Sequence, residues 1–124
     1  DLKFLKQLPP AEARAWLTRF HGIGPKTASI VMLFSLGIPA FPVDTHVHRV
    51  TGRLGLRPEK MSADDCHPHF EALFPPETYG PAHLNLITHG RQVCHARSPE
   101  CGRCVLQKLC AYYQAHLAGQ KPKP

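Results

Sequence analysis

Residues 20–34 read FHGIGPKTASIVMLF, and the rest of the chain is read outward from them. Gly22 and Gly24 flank one apolar residue, Ile23, and Pro25 follows directly. Glycine tolerates the positive φ of a tight reversal, and proline fits the first helical position, where its missing N–H leaves no bond unmade. The stretch therefore predicts two helices joined by a short hairpin. The first is PAEARAWLTRF, residues 10–20, whose Ala11, Ala15, Trp16 and Phe20 fall near one face; it ends at His21 and Gly22. The second begins at Pro25 and continues through KTASIVMLFSLG, apolar on most sides and stopped by Gly37. It is expected to be the most buried helix.

Downstream, IPAFPV (38–43) carries two prolines and predicts an extended connection. Asp44 then stands where an N-cap opens the helix THVHRVTGRLG, with Val47, Val50 and Leu54 as its apolar stripe. Ser62 with Asp65 three residues later resembles a capping box for a segment reaching Leu73. Pro68 inside that segment predicts a kink or a later start. Tyr79 to Val93 offers Leu84, Leu86 and Ile87 as an apolar face, with Pro81 in the first turn. Strand-like alternation is absent, so the expected class is all-α.

At 124 residues the chain has room for one domain, or is a piece of something larger. Its 15 Lys and Arg against 9 Asp and Glu leave a formal +6, which favours an anionic partner, nucleic acid first. With 43% hydrophobic and 19% charged residues the chain can bury a core, which excludes disorder for most of it. No stretch approaches the roughly 20 apolar residues of a membrane span, and DLKFLKQLPP has no signal-peptide core. A cytoplasmic protein with no membrane partner is expected. The tail 117–124, ending GQKPKP, reads as a flexible terminus.

Four of the five cysteines crowd into residues 94–110, CHARSPECGRCVLQKLC, with the spacing C-x6-C-x2-C-x5-C. Disulfides need an oxidising compartment. Zinc knuckles usually pair two C-x2-4-C units, and only Cys101 and Cys104 make one. Four thiolates from one loop can also hold a [4Fe–4S] cluster, whose iron prefers sulfur. Cys66 stands apart as a free thiol.

The cysteine spacing, with the approach LITHGRQVCHARSPECGRC, resembles the iron–sulfur loop of the endonuclease III branch of the helix–hairpin–helix DNA glycosylases. The pattern G-I-G-P-K-T-A resembles that family's hairpin, and FPVDTHVHRV its V-D-T-H segment. The resemblance runs from about Leu8 to Tyr112 and implies a [4Fe–4S] cluster on Cys94, Cys101, Cys104 and Cys110. It implies Lys26 as the nucleophile that attacks the sugar C1′ and Asp44 as the carboxylate that assists it. An amine that must be neutral to attack is favoured by a helix N-terminus, partial burial and nearby cations.

Gly22, Ile23, Gly24, Lys26 and Thr27 are expected at the phosphate backbone, and Arg49, Arg97 and Arg103 as further DNA contacts. Arg91 and Lys108 would help to offset the cluster's negative charge, and Arg53 joins Arg49 toward phosphate. His46 is read as a packing or hydrogen-bonding residue. Residues 1–56 would form the hairpin part of a six-helix barrel and 57–116 the cluster lobe. The family's N-terminal helices, which complete the barrel, have no counterpart here and would come from a parent chain. The implied activity is bifunctional: removal of an oxidised pyrimidine from duplex DNA by a monomer, then strand cleavage at the abasic site. The rivals are a non-catalytic DNA-binding module and a mismatch glycosylase of the adenine or thymine type, of which Lys26 counts against the adenine branch.

Overall fold

The computed structural model describes residues 1–117. The described chain is all helix and connection, with no strand. A 3-10 turn, Leu2–Gln7, leads into α1 (Pro10–Thr18), α2 (Pro25–Ile30), α3 (Thr45–Leu54), α4 (Ala63–Leu73) and α5 (Tyr79–Gln92). Short turns at Cys101–Arg103 and Gln107–Leu109 shape the cysteine loop, and a π-helical turn, Tyr113–Leu117, ends the description. The tail expected over 117–124 therefore lies outside the described residues apart from the backbone of its first. Among the described residues no helix is long and apolar enough to cross a membrane.

Local signals place the helix ends. Pro10 and Pro25 each stand at the start of their helix. The Asp44 carboxylate accepts from the Val47 amide at 2.8 Å and opens α3; Gly55, at φ 84°, closes it. The Ser62 hydroxyl accepts from the Asp65 amide at 3.1 Å and opens α4. The second predicted helix is divided: α2 ends at Ile30 and widens into a π-helical turn over Val31–Ser35. Gly37, at φ 66°, lies just beyond that turn.

Pro68 neither kinks α4 off nor delays it, because the helix runs through it from Ala63 to Leu73. A proline there deprives the carbonyl of Asp64 of its i+4 donor. The buried His67 ring supplies the replacement, its Nδ1 lying 3.1 Å from that oxygen. Leu84, expected on the inner face of α5, is 52% exposed. Leu86 and Ile87 do pack against the core, and the fully buried positions are Tyr79, His83 and Gly90.

Two apolar clusters hold the described chain. One gathers Leu5, Ala13, Leu17, Ala28, Met32, Ile38 and Ala40, joining the first turn, α1 and α2. The other gathers Phe41, Val43, Val47, Cys66, Phe70 and Tyr79, and so joins segments on both sides of residue 56. Phe41 is its hub, with ring centroids of Phe70 and Phe74 at 5.4 and 5.1 Å and of Tyr79 at 5.7 Å. Burial of one such side chain contributes roughly 1.5–3 kcal/mol. The α3–α5 contact requires Gly90: a Cβ there would stand 3.1 Å from His46 Cβ and 3.2 Å from Val50 Cγ2.

Between the clusters runs a polar tie. Arg14 on α1 pairs with Glu71 on α4 and donates from Nε to Ser29 Oγ on α2 at 3.2 Å. The same Glu71 carboxylate accepts from the Phe41 amide at 2.9 Å. Removing Arg14 or Glu71 leaves the other charge largely buried without its counter-ion, which is the costly way to lose such a pair.

Burial holds His67 and His83 below the ordinary imidazole value of 6.5, against opposing hydrogen bonds to the carbonyls of Asp64 and Pro42. Above 6.5 the folded and unfolded forms are both neutral at these rings. As pH falls through 6.5 the unfolded chain takes up protons that the native rings resist, so stability is lost on the acid side. Urea midpoints should fall between pH 7.5 and 5.5, with a shallower slope in His67→Gln; equal slopes in the two proteins would contradict this account.

Candidate functional site

The hairpin turns at Gly22, where φ is 85°. The Ile23 amide bonds back to the Phe20 carbonyl at 3.1 Å, and its side chain packs on the first apolar cluster. Ile23, expected at the phosphate backbone, thus anchors the turn from below. Gly24 caps α2, and its carbonyl accepts from the Ala28 amide at 3.0 Å. The amides of Gly22, Gly24, Lys26 and Thr27 have no acceptor among the described residues. They form an exposed set of donors at a helix N-terminus, the arrangement that receives an anion.

Lys26 is the second residue of α2 and is exposed, so the partial burial expected of it is not found. It has no hydrogen bond or ion pair among the described residues. Asp44 is half-buried at the start of α3, one oxygen committed to the Val47 amide. Lys26 and Asp44 therefore share a setting, the first turn of a helix, without touching.

Arg49, expected at phosphate, is turned inward. It donates to the carbonyls of Gly90 at 2.9 Å and Cys94 at 3.1 Å, and lies 3.2 Å from Nδ1 of His46. Arg53 behaves alike: it donates to the carbonyls of His95 at 2.6 Å and Ala96 at 3.0 Å and to Cys94 Sγ at 3.3 Å. Its guanidinium also lies over the Tyr112 ring, 5.1 Å from the centroid. Both arginines bind α3 to the start of the cysteine loop. The loop follows a helix end whose free carbonyls need donors, and the arginines lie one turn apart on the facing side of α3.

Arg103 is half committed, pairing with Glu100 and with the Gln92 carbonyl while 57% of its side chain remains exposed. The Arg103 hydrogen bond, then that from His95, holds the Glu100 carboxyl down to about 2. Arg91, Arg97 and Lys108 are exposed and have no partner among the described residues.

Cys94, Cys101, Cys104 and Cys110 are half-buried free thiols that line one cavity, with Val50 and Leu54 of α3 on its wall. Groups of the loop, of α5 and of α3 bond to the sulfurs. The Leu106 amide donates to Cys104 Sγ at 3.4 Å, His89 Nε2 lies 3.5 Å from the same atom, and Cys110 Sγ is 3.4 Å from the Arg53 carbonyl. Burial pushes the Cys101 thiol up, and its three neighbouring cysteines push it further, against Arg53. Four sulfurs that would repel one another as thiolates fit a group that brings positive charge into their midst. Among the described residues no group of three or more His, Cys, Asp or Glu is placed to hold a metal ion.

Sequence reasoning missed Gly90, Glu71, His67, His83 and His89. Only Gly90 left a signal, a helix-interior glycine in an otherwise continuous segment.

Comparison with known proteins bears on both features. A family model described as the iron–sulfur binding domain of endonuclease III matches residues 94–110. Endonuclease III of Sulfolobus acidocaldarius is 37% identical over 113 residues, which is 91% of this chain and 51% of that protein. Two solved structures, a non-covalent endonuclease III–DNA complex and a trapped endonuclease III–DNA covalent intermediate, each superpose with a TM-score of 0.76 at 34% identity. Each match covers 91% of this chain and 52% of the other. The chain spans about half the length of the curated relatives it matches.

The hairpin geometry separates its two glycines. Neither would meet an atom within 4 Å on gaining a Cβ, but only Gly22 has a positive φ. Gly22→Ala should lower stability by about 1 kcal/mol, the order of the left-handed penalty for an L-residue, and Gly24→Ala by clearly less. Denaturant titration of both variants checks the order, and equal losses would refute it.

Proposed function

Because the chain belongs to the endonuclease III family over the half of those proteins that it spans, we propose that it is the hairpin-bearing part of a base-excision DNA repair enzyme, a DNA glycosylase and abasic-site lyase. The observation that carries this reading is Lys26, exposed and unpartnered beside the unpaired amides of the hairpin. Those amides take the phosphate backbone of duplex DNA, and Arg97 and Arg103 reach further phosphates from the loop. Residues 1–56 form the hairpin portion of the barrel lobe and 57–116 the cluster lobe.

In this reading the neutral amine of Lys26 attacks C1′ of a flipped-out nucleotide carrying an oxidised pyrimidine. The C1′–N bond breaks, and the base leaves with the bond pair and takes up a proton. The Asp44 carboxylate, held by the Val47 amide, stabilises the positive charge that develops on the sugar. Loss of the amine proton and opening of the sugar leave a Schiff base, from which β-elimination cuts the strand 3′ to the abasic site. Cys94, Cys101, Cys104 and Cys110 would hold a [4Fe–4S] cluster, which when bound cross-links the loop and offsets part of the charge of the four thiolates. Arg49 and Arg53 anchor that loop to α3.

Incubation with abasic-site DNA and borohydride should give a covalent protein–DNA adduct, absent in Lys26→Gln, and with DNA carrying an oxidised pyrimidine the adduct should form about a hundredfold more slowly in Asp44→Asn. A folded protein that binds DNA and gives no adduct would leave the non-catalytic module as the correct reading. Purified protein should be coloured, with iron and acid-labile sulfide in equal amounts, and Cys101→Ser should lose both. A colourless protein with one zinc per chain would overturn the cluster assignment.

A further inference from the structure

The segment that delivers Asp44 is held by side chains in place of a sheet. Residues Phe41, Pro42 and Val43 are buried, extended and without a neighbouring strand, so their backbone groups need other partners. One group on each of the three residues finds a partner. The Phe41 amide donates to Glu71 Oε2 at 2.9 Å, the Pro42 carbonyl lies 2.8 Å from His83 Nδ1, and the Val43 amide donates to His67 Nε2 at 3.2 Å.

The geometry has a simple origin. His67 and Glu71 lie four residues apart on α4, a rise of about 6 Å, while Val43 and Phe41 lie two apart along an extended chain, about 6.6 Å. One face of a helix thus pairs with one edge of an extended segment, and α5 takes the opposite edge through His83. The His67 tautomer follows from its partners. Nε2 accepts from an amide, so Nδ1 carries the hydrogen and donates to the Asp64 carbonyl.

We propose that His67, Glu71 and His83 are positioning residues for Asp44: by holding the three preceding residues at alternate edges, they set the direction in which α3 starts and its carboxylate stands. The inference rests on the reading of Asp44 given above. Asp44 follows Val43 directly and its one described side-chain bond is to its own helix, so the position of the carboxylate is inherited from the segment before it. Apolar side chains of similar volume would fill the same space without unpaired charge, but they would leave two amides and a carbonyl unbonded and the segment free to slide.

The test compares His67→Phe, which keeps a ring and removes both bonds, with His67→Gln, whose amide can accept and donate as the imidazole does. Each is made in the full chain, alone and with Asp44→Asn. Borohydride trapping rate on DNA carrying an oxidised pyrimidine, DNA affinity, melting temperature and exchange of the Val47 amide are measured. His67→Phe should slow trapping about tenfold or more, as misplacement of a reacting group does, with DNA affinity unchanged and faster Val47 exchange. His67→Gln should restore both rate and exchange, and His67→Phe should add nothing to Asp44→Asn. The same loss in the presence and absence of the Asp44 carboxylate, or no rescue by Gln, would overturn the proposal. If Asp44→Asn alone leaves trapping intact, the reading of Asp44 fails, and Val47 exchange still decides whether His67 holds the cap. Should His67→Phe not fold, His83→Leu against His83→Asn puts the same question to the Pro42 carbonyl.

Discussion

A buried stretch of extended backbone with no strand beside it is the constraint around which this helical protein is arranged. Phe41 brings the largest fully buried side chain into the second apolar cluster, and its own amide must be bonded where water is excluded. The bond goes to Glu71, and Glu71 in turn holds Arg14. One carboxylate therefore links α1, α4 and the connection between α2 and α3. With His67 and His83 added, the segment is bonded from two helices. The helix–hairpin–helix unit and the helices that carry the cysteine loop are joined through it.

The distribution of cations follows a second rule. A formal +6 read from composition suggests a uniformly basic face, yet Arg14, Arg49, Arg53 and Arg57 are turned to carboxylate, carbonyl, sulfur or imidazole partners inside the protein. Guanidinium suits this work because five donors on a rigid plane can satisfy several carbonyls at once. Among the described residues, Lys26 at the hairpin and Arg91, Arg97 and Lys108 by the loop face solvent without a partner, and Lys3, Lys6, Arg19 and Lys60 are exposed elsewhere. Arg49 and Arg53 are thus structural donors to the loop, and the charge offered to an anionic partner is smaller than the total.

Much of the fold was legible because its signals are local. Pro10 and Pro25 start helices, Asp44 and Ser62 cap them, Gly22 supplies the positive φ, and the cysteine spacing marks the loop. The failures are as instructive. Pro68 is compatible with a continuous α4 only because the neighbouring imidazole folds back onto the orphaned carbonyl. Leu84 is exposed because His83 and Gly90 face inward, a histidine bonding to a carbonyl from a distant segment and a glycine admitting α3 at close range. Nothing within one helical turn of these residues records either partner.

By itself, then, the amino-acid sequence determined the helices, their caps, the hairpin and the identity of the cysteine set, since each depends on residues within a few positions of one another. Tertiary structure alone decided which arginines are free, that Lys26 stands open while Asp44 is half-buried, and that Glu71, His67 and His83 converge on the backbone of three successive residues. Those outcomes depend on how buried polar groups from separate helices are satisfied together, and a linear sequence does not specify which side chain meets which carbonyl until packing brings them within hydrogen-bond reach.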